Sequence, residues 1–248
     1  MKKLLLALLL LLLPFQTQGQ SRQFVRANSD KIAIPDTASS AWTNPFTLSA
    51  WIYLDSLPSV TSVDNVIFGL GAVGTWGLLV DYRLSGVLQW LLITTVTAGV
   101  DCVRLYNIDL STGRWYHFAL TVDSSLDDAN EAKIYIDGSR VTQTFTQNSW
   151  STTASYLATT RIGVFPSDFG WWDGRIAQMA KFNRVLNQAE LTALVRGARF
   201  DRIGPPSGYD FAYRLDGQSP EADSGPNHYA STSITGTSRA NGPPTVPR

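Results

Sequence analysis

Four segments of this 248-residue chain carry one signature in a fixed order: 46–51 (FTLSAW), 113–123 (GRWYHFALTVD), 133–138 (KIYIDG) and 161–165 (RIGVF). Each is short, rich in Trp, Tyr, Phe, Ile or Val, and bounded by turn residues. From Phe46 to Leu54, the set Phe46, Leu48, Ala50, Ile52 and Leu54 alternates with Thr47, Ser49, Trp51 and Tyr53. That period of two places the first set on one face of a strand. Trp115 to Asp123 repeats it, with Phe118, Leu120 and Val122 opposite His117, Ala119 and Thr121. No self-similarity at a period of roughly 20–50 residues points to a propeller or solenoid. The pattern predicts one large all-β sandwich.

Further short strands are expected at 23–26, 31–35, 66–70, 77–82, 87–93, 102–108, 140–145, 161–164 and 175–182, with a tight turn at Asp137-Gly138. One helix interrupts them. Asn187 is placed to cap it, Glu190 to reach back to the cap, and Gly197 to end it. The expected organisation is a leader over residues 1–19, the sandwich over 20–203, closing edge strands over 204–235, and a flexible Pro/Gly/Ser tail over 236–248.

The amino terminus has basic Lys2 and Lys3, the apolar run Leu4 to Leu13, and small residues before Gln20. This is the pattern of a secretory signal peptide. The apolar run is about half of the roughly twenty residues needed to cross a bilayer. The mature protein is therefore expected outside the cell or on its surface, without membrane insertion. Loss of the leader leaves 18 basic against 20 acidic side chains, a balance that argues against a nucleic-acid partner. The single Cys102 cannot form an intramolecular disulfide, so the core must hold the fold.

The ordered motifs resemble the laminin G-like branch of the concanavalin A-like lectin and glucanase superfamily. Residues 30–35 are similar to its opening D-x-[IV]-x-[IV]-P, and FTLSAWIY at 46–53 to its F-T-[IV]-S-x-W strand. GRWYHFALTVD resembles its W-H-H-[VI]-A strand with Tyr116 in place of one His, and YIDG at 135–138 its Y-[VI]-D-G turn. Residues 174–186, followed by Gln188-Ala189-Glu190, are similar to G-x-[IL]-D-E-x-x-[IV]-[YF]-N-R-x-L-[ST]-x-x-E, although Ala177-Gln178 stand where the family has Asp-Glu. The resemblance implies a concanavalin A-like, laminin G-like antiparallel β-sandwich or jelly roll with one short helix near the C-terminal end. The same scaffold hosts lectins, adhesion modules and hydrolases, so function must be argued from a site.

Glycoside hydrolysis needs two facing carboxyl groups. The superfamily's glucanases carry theirs as E-x-D-x-E, which is absent here; Glu131, Glu190 and Glu221 are scattered over a loop, a helix start and the closing segment. Tyr116 and His117 are strand neighbours and point to opposite faces. Two His, one Cys and no G-x-S-x-G leave no zinc site or serine nucleophile to assemble. Calcium, which the resemblance brings into view, needs hard oxygen ligands, and Asp168 and Asp173 flank the loop Phe169-Gly170-Trp171-Trp172. Sugar rings stack on Trp while neighbouring Asp side chains bind hydroxyls. The residues selected as ligand-binding are therefore Trp150, Trp171, Trp172, Asp168 and Asp173, with Asp168 and Asp173 also as metal ligands. The expectation is a secreted, non-enzymatic module that binds an extracellular carbohydrate or protein through rim loops, with Ca2+ assisting. The alternatives are a polysaccharide-degrading enzyme on the same fold and a structural subunit of an extracellular assembly.

Overall fold

The structure is a computed structural model that describes residues 18–35, 45–59, 64–71, 78–83, 86–92, 102–123, 125–127, 129–147, 159–165, 168–204, 208–217, 221–225, 228 and 231–244. Two antiparallel sheets of eight strands each face one another. The first contains β1 (Gln18–Phe24), β3 (Phe46–Leu54), β8 (Trp115–Val122), β9 (Ala132–Ile136), β10 (Ser139–Arg140), β13 (Gly174–Phe182), β14 (Tyr209–Tyr213) and β16 (Ser238–Pro244). Its order is β10-β9-β8-β3-β13-β1-β16, with β14 also paired to β13. The second contains β2 (Lys31–Ile34), β4 (Asp64–Gly71), β5 (Leu78–Arg83), β6 (Val87–Leu92), β7 (Cys102–Asn107), β11 (Gln143–Gln147), β12 (Thr159–Ile162) and β15 (Ser233–Thr235). Its order is β11-β7-β6-β5-β4-β12-β2-β15.

The period-two alternation decides which faces meet. Phe46, Leu48, Ala50, Ile52 and Leu54 of β3 join Phe118 and Leu120 of β8, Phe68 of β4 and Phe211 of β14 in the buried core between the sheets. The opposite face of the first sheet is covered in part by a helix. There α1 (Gln188–Val195) lays Leu191 and Leu194 over Ala119, Ala180 and Phe182 in a second buried cluster. The helix starts as its sequence requires: the Glu190 amide donates to the Asn187 side chain, and the Asn187 amide donates to the Glu190 carboxylate. Among the described residues no helix is long and apolar enough to cross a membrane.

The C-terminal segment differs from its expected flexibility. Residues 238–244 form β16, which pairs with β1 along the first sheet, and β1 itself begins at Gln18, two residues before the expected cleavage point. Composition misleads here because an edge strand needs only a backbone partner, and covering an exposed edge is itself favourable. Gly242 lies so close to Gln20 that a Cβ would fall 2.5 Å from the Gln20 carbonyl oxygen. A buried clamp ties this segment down: the Arg22 Nε donates to the Glu221 carboxylate at 2.6 Å, and its Nη1 donates to the Thr237 carbonyl at 3.2 Å.

Candidate functional site

The loop residues chosen from the sequence are placed differently from one another. Trp150 lies outside the described residues. Trp172 is fully buried within the core between the sheets, which corrects its selection as a stacking platform: in the extended pair Trp171-Trp172 it is the inward member. Trp171 is half-buried, and the Lys31 ammonium stands 5.3 Å from its ring centroid. Lys31 also donates to Asp168 at 2.9 Å, and Arg161 donates to the same carboxylate oxygen. Two cations on one carboxylate repel a third, so Asp168 is poorly suited to calcium. Asp173 accepts the Ser56 hydroxyl with one oxygen and, at 3.4 Å, the Arg26 backbone amide with the other. Among the described residues no three His, Cys, Asp or Glu side chains come together as a metal-ligand group.

A different place gathers aromatic and charged side chains, of which Trp51 is buried, Tyr53, Trp115 and Arg175 are half-buried and Arg114 is exposed. On the outer face of the first sheet, beyond the end of α1, a groove of about 690 Å³ is lined by Trp51, Tyr53, Arg114, Trp115, Asp137 and Arg175. Three of these occupy neighbouring register positions, Trp115 opposite Tyr53 and Tyr53 opposite Arg175. The Tyr53 and Trp115 rings lie 5.4 Å apart, inclined by 59°. The Arg175 guanidinium lies 4.5 Å from the Tyr53 ring centroid, and its Nε donates to Gln23 Oε1 at 3.1 Å. On the far wall Arg114 stands 4.2 Å from the Tyr116 ring centroid and donates to Asp137 at 2.8 Å. The other Asp137 oxygen accepts the His117 amide at 2.8 Å.

The local backbone explains why this row holds together. Gly174 precedes Arg175 with φ 149, and a Cβ there would sit 1.9 Å from the Tyr53 carbonyl oxygen. Only glycine lets β13 approach β3 so closely. Beneath the groove, His117 and Ser49 are buried, with His117 Nε2 3.0 Å from Ser49 Oγ and the His117 ring edge-on to Trp51 at 5.2 Å. Burial pulls the His117 pKa down to about 4, so the ring is neutral at physiological pH. Among the described residues its Nδ1 meets no carboxylate, the group that orients the imidazole in a hydrolytic triad.

The residues selected from the sequence were all in loops, so this groove on the strands was missed. The signal was present: Trp51 and Tyr53 fall on the face of β3 opposite its core set, and Trp115 lies on the matching face of β8. Two smaller clefts, of about 420 and 230 Å³, present at most one aromatic side chain each.

A family model described as the Concanavalin A-like lectin/glucanases superfamily matches residues 26–192. No curated protein matches the chain in sequence. Among solved structures, a proposed carbohydrate-binding protein of Bacteroides ovatus ATCC 8483 superposes with TM-score 0.61 at 17% identity, covering 92% of this chain and 62% of that one. The K499G mutant of the NanB sialidase from Streptococcus pneumoniae gives TM-score 0.53 at 15% identity, over 71% of this chain and 27% of that one. This chain thus spans less than two thirds of either, and at such identities the likeness is one of fold.

Proposed function

The chain belongs to the Concanavalin A-like lectin/glucanases superfamily, and from that footing we propose that it is a secreted carbohydrate-binding module whose ligand lies in the groove walled by Tyr53 and Trp115. The observation that carries this reading is the row Trp115, Tyr53, Arg175 along a groove on the outer face of the first sheet. Aromatic rings accept the C–H faces of sugars, and fixed guanidinium and carboxylate groups bind their hydroxyls. The pairing of Arg114 with Asp137 and of Arg175 with Gln23 holds those polar groups in place before a ligand arrives. The proposed carbohydrate-binding protein of Bacteroides ovatus shares the fold over most of this chain and supports the ligand class.

Binding without catalysis is the form of this proposal that the groove chemistry favours. Most glycoside hydrolases cleave the glycosidic bond with two carboxyl groups. Among the described residues the groove offers Asp137, and both its oxygens are already engaged. Glu190 serves the helix cap and Arg184, and Glu221 serves the Arg22 clamp. Export follows from the leader-like residues 1–19.

The test is titration of the mature chain against a panel of soluble polysaccharides by affinity electrophoresis and calorimetry, with reducing-end release measured in parallel. Saturable binding without product release, lost in Trp115→Ala, supports the reading. Binding that Trp115→Ala and Tyr53→Ala both leave unchanged overturns the assignment of the groove, and product release overturns the non-catalytic part.

A further inference from the structure

Resting on the groove as the glycan site, we infer that it selects sugars carrying a carboxylate, and that Arg175 is the residue that reads it. Among the described residues that line the groove, Arg114 and Arg175 face one acid, Asp137, and Asp137 is paired with Arg114. Arg175 forms no ion pair among the described residues. Its Nε is given to Gln23, which leaves the two terminal nitrogens for a ligand. A guanidinium fork matches a carboxylate with two parallel N–H···O bonds, a geometry that a neutral hydroxyl cannot complete.

The plane of that fork is fixed on both sides. Its face stacks on Tyr53, and the Gln23 amide that receives its Nε is itself anchored, donating to Asp55 at 2.6 Å and to the Gly174 carbonyl at 3.1 Å. Ordering Arg175 therefore costs a ligand little, because the side chain is already ordered. The register supplies the spacing. Trp115, Tyr53 and Arg175 occupy successive strands β8, β3 and β13, a row about 10 Å long at the usual strand separation. A sugar stacked on the two rings places a substituent of the same or the next sugar at Arg175. Arg114, stacked beside Tyr116 and bound to Asp137, raises the local positive potential without competing for the carboxylate.

The experiment compares polygalacturonate with its fully methyl-esterified form and with a sulfated neutral glucan, using wild-type mature chain, Arg175→Gln and Trp115→Ala. The expected result is roughly tenfold weaker binding on esterification in the wild type, and no difference between the two forms in Arg175→Gln. An unchanged far-UV circular dichroism spectrum and melting temperature in Arg175→Gln show that the fold survives, and any loss of hydroxyl contacts in this variant weakens acid and ester alike. Equal wild-type affinity for acid and ester overturns the inference and leaves the groove assignment standing. Tighter binding of the sulfated glucan than of polygalacturonate overturns the carboxylate assignment in favour of general anion attraction. Unchanged binding in Trp115→Ala, or no binding of any glycan, removes the groove reading and this inference with it.

Discussion

Tyr53 and Trp115 stand opposite one another in the β3–β8 register, with ring centroids 5.4 Å apart and planes inclined by 59°. Such a tilted pair contributes about 0.5–1.5 kcal/mol beyond the area it buries. Both side chains are nevertheless half-buried, so each keeps ring surface for a ligand. Arg175 on the other side of Tyr53 turns the pair into a row of aromatic and cationic surfaces on three adjacent strands.

Replacing Tyr53 by Ala removes the central member of that row, which supports Trp115 on one side and Arg175 on the other. Glycan affinity is expected to fall roughly thirtyfold or more, as for a buried interface anchor. Calorimetry gives the loss, and an unchanged far-UV circular dichroism spectrum shows that the sheet persists.

His117 is expected to make the fold acid-sensitive. Its unfolded pKa is near 6.5 and its folded pKa about 4, lowered by burial, so the unfolded chain binds the extra proton. Stability from this residue is complete above about pH 6.5 and is lost as pH falls toward 4, a change on the order of 3 kcal/mol. Asp81 acts in the opposite sense, since burial holds its carboxyl well above the usual range. The two are separated by comparing urea unfolding of the wild type with that of His117→Gln from pH 7.5 to 4.5. The difference between the proteins should shrink as the pH falls; a constant difference would show that His117 does not titrate on unfolding.

The Arg22–Glu221 pair clamps the C-terminal segment onto β1 at 2.6 Å, with both side chains almost wholly buried. Glu221→Ala leaves the Arg22 charge buried without its partner, and about 3–5 kcal/mol of stability should be lost. Arg22→Leu combined with Glu221→Leu removes both charges and should recover much of it. Denaturant midpoints for the two variants check this.

Calcium removal is expected to leave glycan binding and melting temperature unchanged, because Asp168 already accepts Lys31 and Arg161, while Asp173 is engaged by Ser56. Titration in excess EDTA and then in excess calcium decides it. A clear rise in melting temperature with calcium would place ligands among residues other than these two.

Legibility followed the range over which each signal acts. The alternation in 46–54 and 115–122 and the Asn187–Glu190 capping box are local; the structure places the alternating apolar set in the core between the sheets and forms the capping box, although most of the opposite strand face is buried as well. Trp172 was misread because adjacency in an extended loop fixes that one ring turns inward but not which one. Strand β16 was misread because its Ser, Pro and Gly content says nothing about the edge of β1, which lies some two hundred residues earlier in the chain and which it covers.

By itself, then, the amino-acid order determined the class of fold, the face of each central strand that enters the core, and the start of the one α-helix, since periodicity and capping are properties of neighbouring residues. Only the tertiary structure decided which outward residues remain open. Helix α1 covers Ala119, Ala180 and Phe182 and ends at Val195, on the border of the groove, so Tyr53 and Trp115 beyond it stay accessible while their strand-mates are buried. The pairing of β3 with both β8 and β13 then sets Arg175 beside Tyr53. That juxtaposition depends on register between distant segments, which no local pattern specifies.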